Sequence, residues 1–367
     1  MATEPLKRLL IRSIGAASPQ DAAQVALGLG VTVPAMLRAF YQAPSTLADE
    51  LPEPTAVAIA EVLSSLGCEV EVVDQDGPPP APGPLLDVAV RVLDESRFEL
   101  IVAAAAAFLG CPDEDTRRLL LASPPVLIGQ VSPATVEALR RRLGAGAEVI
   151  TSDPAAARYD LLLGDCPAPV RARLLTDLRA RGIDSSPTGP WLVRDLTKQQ
   201  ADSIWDAHRR VPTLRLANQD FYRFEVVLDG GHPDDAAITA LASAGIPADV
   251  VPRLFDALPI IVADELPVPE AKRLLAALAA AGLEAHAALT TFLQLSVHIT
   301  DWSSPPPARA ALVAVGISDP PTAPPFAVGP WPELTARLVR GMLLRAGAEA
   351  DLADPDLADP ALLDASR

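Results

Sequence analysis

The residues best suited to chemistry lie in one heptapeptide, Asp229-Gly-Gly-His-Pro-Asp-Asp235. It follows the apolar run FEVVLD and opens an Ala-rich stretch, so its side chains gather where a strand hands over to a helix. His232, Asp234 and Asp235 form a donor set for zinc, which takes imidazole nitrogen and carboxylate oxygen. A water bound to such a metal is a nucleophile at neutral pH. The competing reading needs no metal: Gly-Gly turns the chain, Pro233 takes the first helical position, and the acids sit at the positive end of the helix dipole. That reading is favoured, because only His286 and His298 follow, each inside an alternating, strand-like run. His208 lies late in a helical stretch, where a cation is favourable. Cys68, Cys111 and Cys166 are widely spaced, and neither Cys68 nor Cys166 has a basic neighbour to lower its thiol pKa. No nucleophile elbow, phosphate loop, dinucleotide fingerprint or HExxH pattern is found. The expectation is a non-enzymatic chain with no catalytic residue and no cofactor.

The totals narrow the partners. The chain has 367 residues, half of them hydrophobic, with only 4% aromatic, so its cores must be built from Ala, Leu and Val. Net charge is −17, and the three lysines are Lys7, Lys198 and Lys272. Binding a phosphate backbone requires clustered Lys and Arg, so nucleic acid is excluded as an expected partner. No run approaches the roughly 20 apolar residues that span a bilayer, so no membrane partner is expected. The N-terminal stretch lacks the apolar core of a signal peptide, and three scattered cysteines make no disulfide framework. A reducing cytoplasm is the expected location.

The elements that position these residues repeat. Ser45–Asp74 and Ile260–Thr290 each read as strand, helix, Gly turn, strand, and both contain ADELP, at Ala48–Pro52 and Ala263–Pro267. Fainter copies place closing strands near Glu69, Glu148, Thr213, Glu284 and Glu349, spaced by 65 to 79 residues. That period fits a small domain and is too long for the common helical repeats. The expected fold is α+β: a tandem array of about five small β-α-α-β-α-β units, each a three-stranded antiparallel sheet packed on two or three helices. The units are set at 1–74, 98–154, 155–220, 221–291 and 292–355. Residues 75–97 are read as a Pro-rich linker and a short helix, Leu85–Glu95, with the strand FELIVAA opening the second unit. The second and third units are read as reduced by one helix, and 356–367 as an acidic disordered tail. Proteolysis is expected to separate the units at the linker.

Units one and four resemble the C-terminal domain of the bacterial large-subunit ribosomal stalk protein, whose fold is shared by the ClpS adaptors. The likeness lies in the element order and in the closing pattern, here AEVLSSLGCEVEVV, RRRLGAGAEVI, AALAAAGLEAHAAL and MLLRAGAEADL. The resemblance implies an adaptor-like role. The lysine cluster that forms that family's factor-binding face is absent here, and only Arg38 and Arg253 are basic on the matching helices. HPDD after a strand also looks like the zinc motif of the LmbE/PIG-L N-deacetylases, which implies that one Asp of the motif binds metal and another acts as base toward a metal-bound water.

The expected function is therefore a scaffold or adaptor that uses its tandem units for multivalent capture of protein partners, or for self-association. A zinc-dependent hydrolase built on HPDD and a ribosome- or translation-factor-associated stalk-like protein are the alternatives. The expected contact residues are Arg38, Phe40, Tyr41, Arg253 and Phe255 on the first helix pairs, and Trp302 beside a Pro-rich loop.

Overall fold

Every unit is organised around its first strand, because that strand is the middle one of a three-stranded antiparallel sheet. The computed structural model describes residues 6–81, 83–186 and 190–353. The fold is α+β, with five such sheets packed with helices. Unit one runs β1 (Leu6–Ser13), α1 (Pro19–Leu29), α2 (Val33–Tyr41), β2 (Ser45–Pro52), α3 (Glu53–Ser65), β3 (Glu69–Asp74). Unit two runs β4 (Leu86–Val92), α4 (Phe98–Leu109), α5 (Asp113–Leu120), β5 (Val126–Val131), α6 (Pro133–Leu143), β6 (Ala147–Ser152). Unit three runs β7 (Tyr159–Leu163), α7 (Ala168–Ala180), β8 (Trp191–Leu196), α8 (Lys198–His208), β9 (Leu214–Asn218). Unit four runs β10 (Phe224–Gly230), α9 (Asp235–Ser243), α10 (Val251–Leu254), β11 (Ile260–Leu266), α11 (Val268–Ala280), β12 (Glu284–Leu289). Unit five runs β13 (Gln294–Trp302), α12 (Pro305–Ala314), β14 (Phe326–Pro332), α13 (Glu333–Arg345), β15 (Ala348–Ala353). The strand orders are β2-β1-β3, β5-β4-β6, β8-β7-β9, β11-β10-β12 and β14-β13-β15. The last helix of each unit therefore crosses its sheet to join the two outer strands.

Unit two corrects the sequence reading. Leu86–Val92 is a strand, not a helix, and Phe98–Leu109 is a helix, not a strand. LDVAVRV alternates with β-branched residues, the pattern of a pleated surface. FELIVAAAAAFL is a continuous apolar run, which periodicity alone cannot assign. Its twelve residues and its Ala and Leu content favour helix. Gly110 ends it in the left-handed conformation, with φ 69°. Unit two is thus not reduced, and only units three and five carry a single helix between their first two strands. In unit four the helix begins at Asp235 with Asp234 as its cap, two residues later than Pro233 at N1 would require. The expected disordered tail lies outside the described residues.

ADELP has a physical meaning here. The second strand of each unit carries a β-bulge two to three residues before its helix. Glu50, Gln130, Asp195 and Glu265 occupy the bulge in left-handed backbone, with φ between 57° and 61°. In unit five Gly329, φ 114°, serves instead. The exposed bulge amide is met by a carboxylate: Gln130 and Asp195 donate to Asp87 and Asp160, at 3.3 and 3.1 Å, and Glu265 donates to Asp264 at 2.6 Å. The bulge bends the strand so that the next residues start a helix over the sheet. The fourth residue of that helix is Ala56, Ala201, Ala271 or Ala336, each at most 3% exposed, and Val136 in unit two. Small side chains there let the helix lie close on its sheet.

The described residues form two compact bodies, one within 6–153 and 294–353, the other within 154–293. In the first, units one and two share one apolar core, against which Leu334 and Leu338 of unit five pack. The Pro-rich segment therefore joins two units with a continuous interior. In the second body, units three and four meet at an aromatic cluster. Trp191, Tyr222 and Phe292 pack edge-to-face at 5.4–6.3 Å between centroids. The Tyr222 hydroxyl donates to the buried Asp160 carboxylate at 3.0 Å.

Left-handed backbone costs an L residue about 1–2 kcal/mol, and glycine escapes that cost while losing more chain entropy on folding. Replacing Glu265 by Gly is expected to stabilise the protein by about 0.5–1 kcal/mol, and by Val to destabilise it by about 1–2 kcal/mol. Urea denaturation of the two variants measures both.

Candidate functional site

A helix that crosses a sheet has one face on its own core and one turned away. Positions three, six and ten of the closing helix lie together on that second face, because 3.6 residues make a turn. In α6 these are Thr135, Ala138 and Arg142, and they receive unit one. The Thr135 hydroxyl donates to the Tyr41 carbonyl at 2.8 Å, and the Ser132 amide donates to the same oxygen at 2.9 Å. Arg142 donates to the carbonyls of Gly15 and Ala17, in the turn that leaves β1. Beside it Arg141 pairs with Glu69, the first residue of β3, at 3.1 Å. The seated element is thus a helix C-terminus and a strand exit, whose carbonyls lack partners within their own unit. Tyr41 completes the contact: its hydroxyl donates to the Phe108 carbonyl at 2.6 Å, and the two rings pack at 5.7 Å. Burial pushes the Tyr41 phenol up and the Arg142 guanidinium down from their ordinary pKa values.

Unit five makes a related contact with unit two, through positions two, five and six of its closing helix. Leu334 and Leu338 of α13 pack on the shared core, and Arg337 donates to Glu95 at 2.7 Å and to the Leu93 carbonyl at 3.4 Å. Leu93 follows β4 as Ala16 follows the exit of β1. Both donate their amides to the glycine region that ends their own closing helix, Leu93 to Gly146 and Ala16 to Gly67, at 2.9 Å each. Ser303 after β13 donates in the same way to Gly347. Burial pushes the Glu95 carboxyl up. A hydrogen bond from its own backbone amide and the Arg337 guanidinium outweigh that and hold it below the usual range.

The same face is open in units one and four, the two ADELP copies. In α3, Thr55, Ala58 and Val62 are all exposed, and Val57 and Val62 show 42% and 54% of their surface. In α11, Glu270, Arg273 and Ala277 line a groove of about 420 Å³ together with Leu266 and Leu274. In unit three Arg181 reaches across the equivalent face to Ser203.

The sequence-derived contact residues fare differently. Arg38 and Arg253 are exposed. Phe40 is fully buried and Tyr41 sits in the contact between units one and two, so neither is offered to an outside partner. Phe255 is partly buried against the unit-four core. Trp302 is only 9% exposed and packs on Phe326 at 5.5 Å, which corrects its reading as an exposed anchor. It covers the end of a unit that has one helix fewer. The closing-helix face was missed because its signal is a recurrence, Thr55, Thr135 and Thr335 at position three, and not a cluster of charge or aromatics.

The zinc reading loses its geometry. The Asp234 side chain accepts the Ala237 amide at 2.8 Å as the α9 cap. His232, Asp234 and Asp235 are exposed, and among the described residues no group of three His, Cys, Asp or Glu side chains is placed to hold a metal. Asp229 is bound instead to His286 Nδ1 at 2.6 Å. His208 bonds Asp177 at 2.8 Å. Burial pushes the Cys68 thiol up to about 12, and Cys111 contacts the Thr116 hydroxyl. Among the described residues no helix is long and apolar enough to cross a membrane. No family model, curated protein or solved structure matches this chain.

Two outcomes follow from this geometry. Because the folded Glu95 pKa is depressed, its contribution is present above the ordinary value of about 4.3 and is lost as pH falls through the folded one. Glu95→Gln is expected to flatten the loss of urea stability between about pH 5 and pH 3 relative to wild type. Separately, protein equilibrated with zinc and desalted is expected to retain the same substoichiometric metal with and without His232→Ala. A stoichiometric ion lost in that variant would revive the hydrolase reading.

Proposed function

We propose that this chain is a non-enzymatic scaffold that captures protein partners through the outer faces of its closing helices. The observation that carries this reading is that the outer side of a closing helix seats another unit twice, in α6 through positions three, six and ten and in α13 through positions two, five and six. In α6 and α13 it receives a strand exit of another unit, in α6 also a helix end, and in α3 and α11 the face is open. A surface already built to seat exposed carbonyls and small apolar side chains suits elements of the same kind from other proteins. Two open copies on one chain provide multivalency: a second contact made at high effective concentration strengthens binding without new chemistry.

The acidic, lysine-poor composition supports a protein partner over nucleic acid. The three free cysteines are consistent with a reducing, cytoplasmic setting. Kinship with the ribosomal stalk domain rests on element order, and the helix pair that would meet a translation factor is partly taken up by unit two through Tyr41.

The test is affinity capture from native lysate with the full chain as bait, read by mass spectrometry, against Val57→Asp with Val62→Asp. A stoichiometric partner held by wild type and released by the variant, at unchanged urea midpoint, is the expected result. Partners retained equally by this variant and by Arg273→Glu would remove the closing-helix face from the reading.

A further inference from the structure

Units four and five each carry one exposed half of the contact that the chain makes internally. The first is the open groove of unit four. Lys272 is the fifth residue of α11, the place that Arg337 holds in α13, and Arg273 is the sixth; both are exposed, and Arg273 lies 3.6 Å from the Glu270 carboxylate, which an incoming acidic pair would have to displace. The second is the strand exit of unit five. Ser303 follows β13 as Leu93 follows β4, and it is exposed. Glu349 stands near the start of β15 as Glu69 stands at the start of β3, where Arg141 meets it.

Unit five differs from the others at this point. Asp301 and Glu349 are directly opposite one another in antiparallel register, and both are exposed. In unit two the glutamate of the third strand faces Arg91 and is bonded to it at 3.0 Å, in unit one it faces Ser13, and in unit four Gly230. Like charges directly opposite destabilise a sheet, so the acidic pair favours an incoming cation. Both seated contacts in this chain supply one, Arg141 on Glu69 and Arg337 on Glu95.

We propose that the protein associates with itself head to tail, α11 of one copy seating the β13–α12 turn of a second. Lys272 and Arg273 meet Asp301 and Glu349, and one of them caps the carbonyl of Ser303. The contact joins two different surfaces, so it is heterologous: copies add head to tail, each offering a further groove and a further turn until a ring closes. The inference rests on reading the closing-helix face as a docking surface. It does not involve α3, so it stands or falls apart from partner capture by unit one.

Sedimentation velocity of the full chain over a concentration series tests it. Wild type is expected to show a sedimentation coefficient that rises with concentration above the monomer value, and a weaker rise at high salt, where exposed charges are screened. Lys272→Glu with Arg273→Glu, and separately Glu349→Lys, are each expected to need at least about tenfold more protein to associate. Urea midpoints check that both remain folded. The two variants mixed in equal amounts are expected to form a species that stops at the dimer, because one retains a working turn and the other a working groove. Wild type that stays monomeric throughout, variants that associate as wild type does, or a mixture that stays monomeric would each overturn the proposal. Any of these outcomes leaves the Val57 and Val62 capture result untouched.

Discussion

The constraint on which this structure depends is the small amount of apolar surface that one unit can bury. A three-stranded sheet has one face to cover, and two or three short helices cover it. A unit of this size buries only about 60% of the surface its unfolded chain exposes, and is marginal alone. With 4% aromatic residues its core must be made of Ala, Leu and Val, which add little per side chain. The units answer by sharing. Phe40 and Met36 of α2 lie in one continuous core with Leu139 and Val136 of α6. Units three and four are joined through Trp191, Tyr222 and Phe292, which is where three of the few aromatic residues were placed.

Sharing makes the closing helix the pivotal element. Its inner face is fixed by its own sheet, where Ala at position four and Leu seven residues later recur in units one, four and five. Its outer face is then free to become an interface. The interface uses main-chain carbonyls because strand exits and helix ends leave them unpaired, and a buried carbonyl without a donor costs about 1–3 kcal/mol. Thr135, Arg142 and Arg337 supply the donors. The bulge in each second strand serves the same end. It sets the direction in which the closing helix departs, and four of the five units accept left-handed backbone at a non-glycine residue to obtain it.

Duplication and divergence of that outer face account for the functional reading. In α6, where Thr135, Ala138 and Arg142 occupy it, a neighbouring unit is seated. In α3 the face carries Val57 and Val62 and no basic residue, and in α11 it carries Lys272 and Arg273. Two open faces of different chemistry suit two different partners. By contrast His208 and His286 hold Asp177 and Asp229, and Cys68 is packed in a core.

Local chemistry was enough to read much of this molecule from its residues. Ser18 and Thr197 announce their capping boxes, Gly punctuates the closing helices, and the repeated ADELP marks the bulged strand. These signals act over a few residues, so they survive in the sequence. The register of unit two did not survive. LDVAVRV and FELIVAAAAAFL exchange their identities once tertiary burial is known, because an apolar run buried on all sides carries no period. The site was less legible than the fold. Phe40, Tyr41 and Trp302 look like contact residues in a linear reading, and only the packing of one unit on another turns them inward. The sequence determined that the chain is a row of small α+β units and where each begins its closing helix, since propensity and capping are local. Which helix faces are filled and which stay open was decided by tertiary structure alone, since that depends on residues more than 90 positions apart meeting across a shared core.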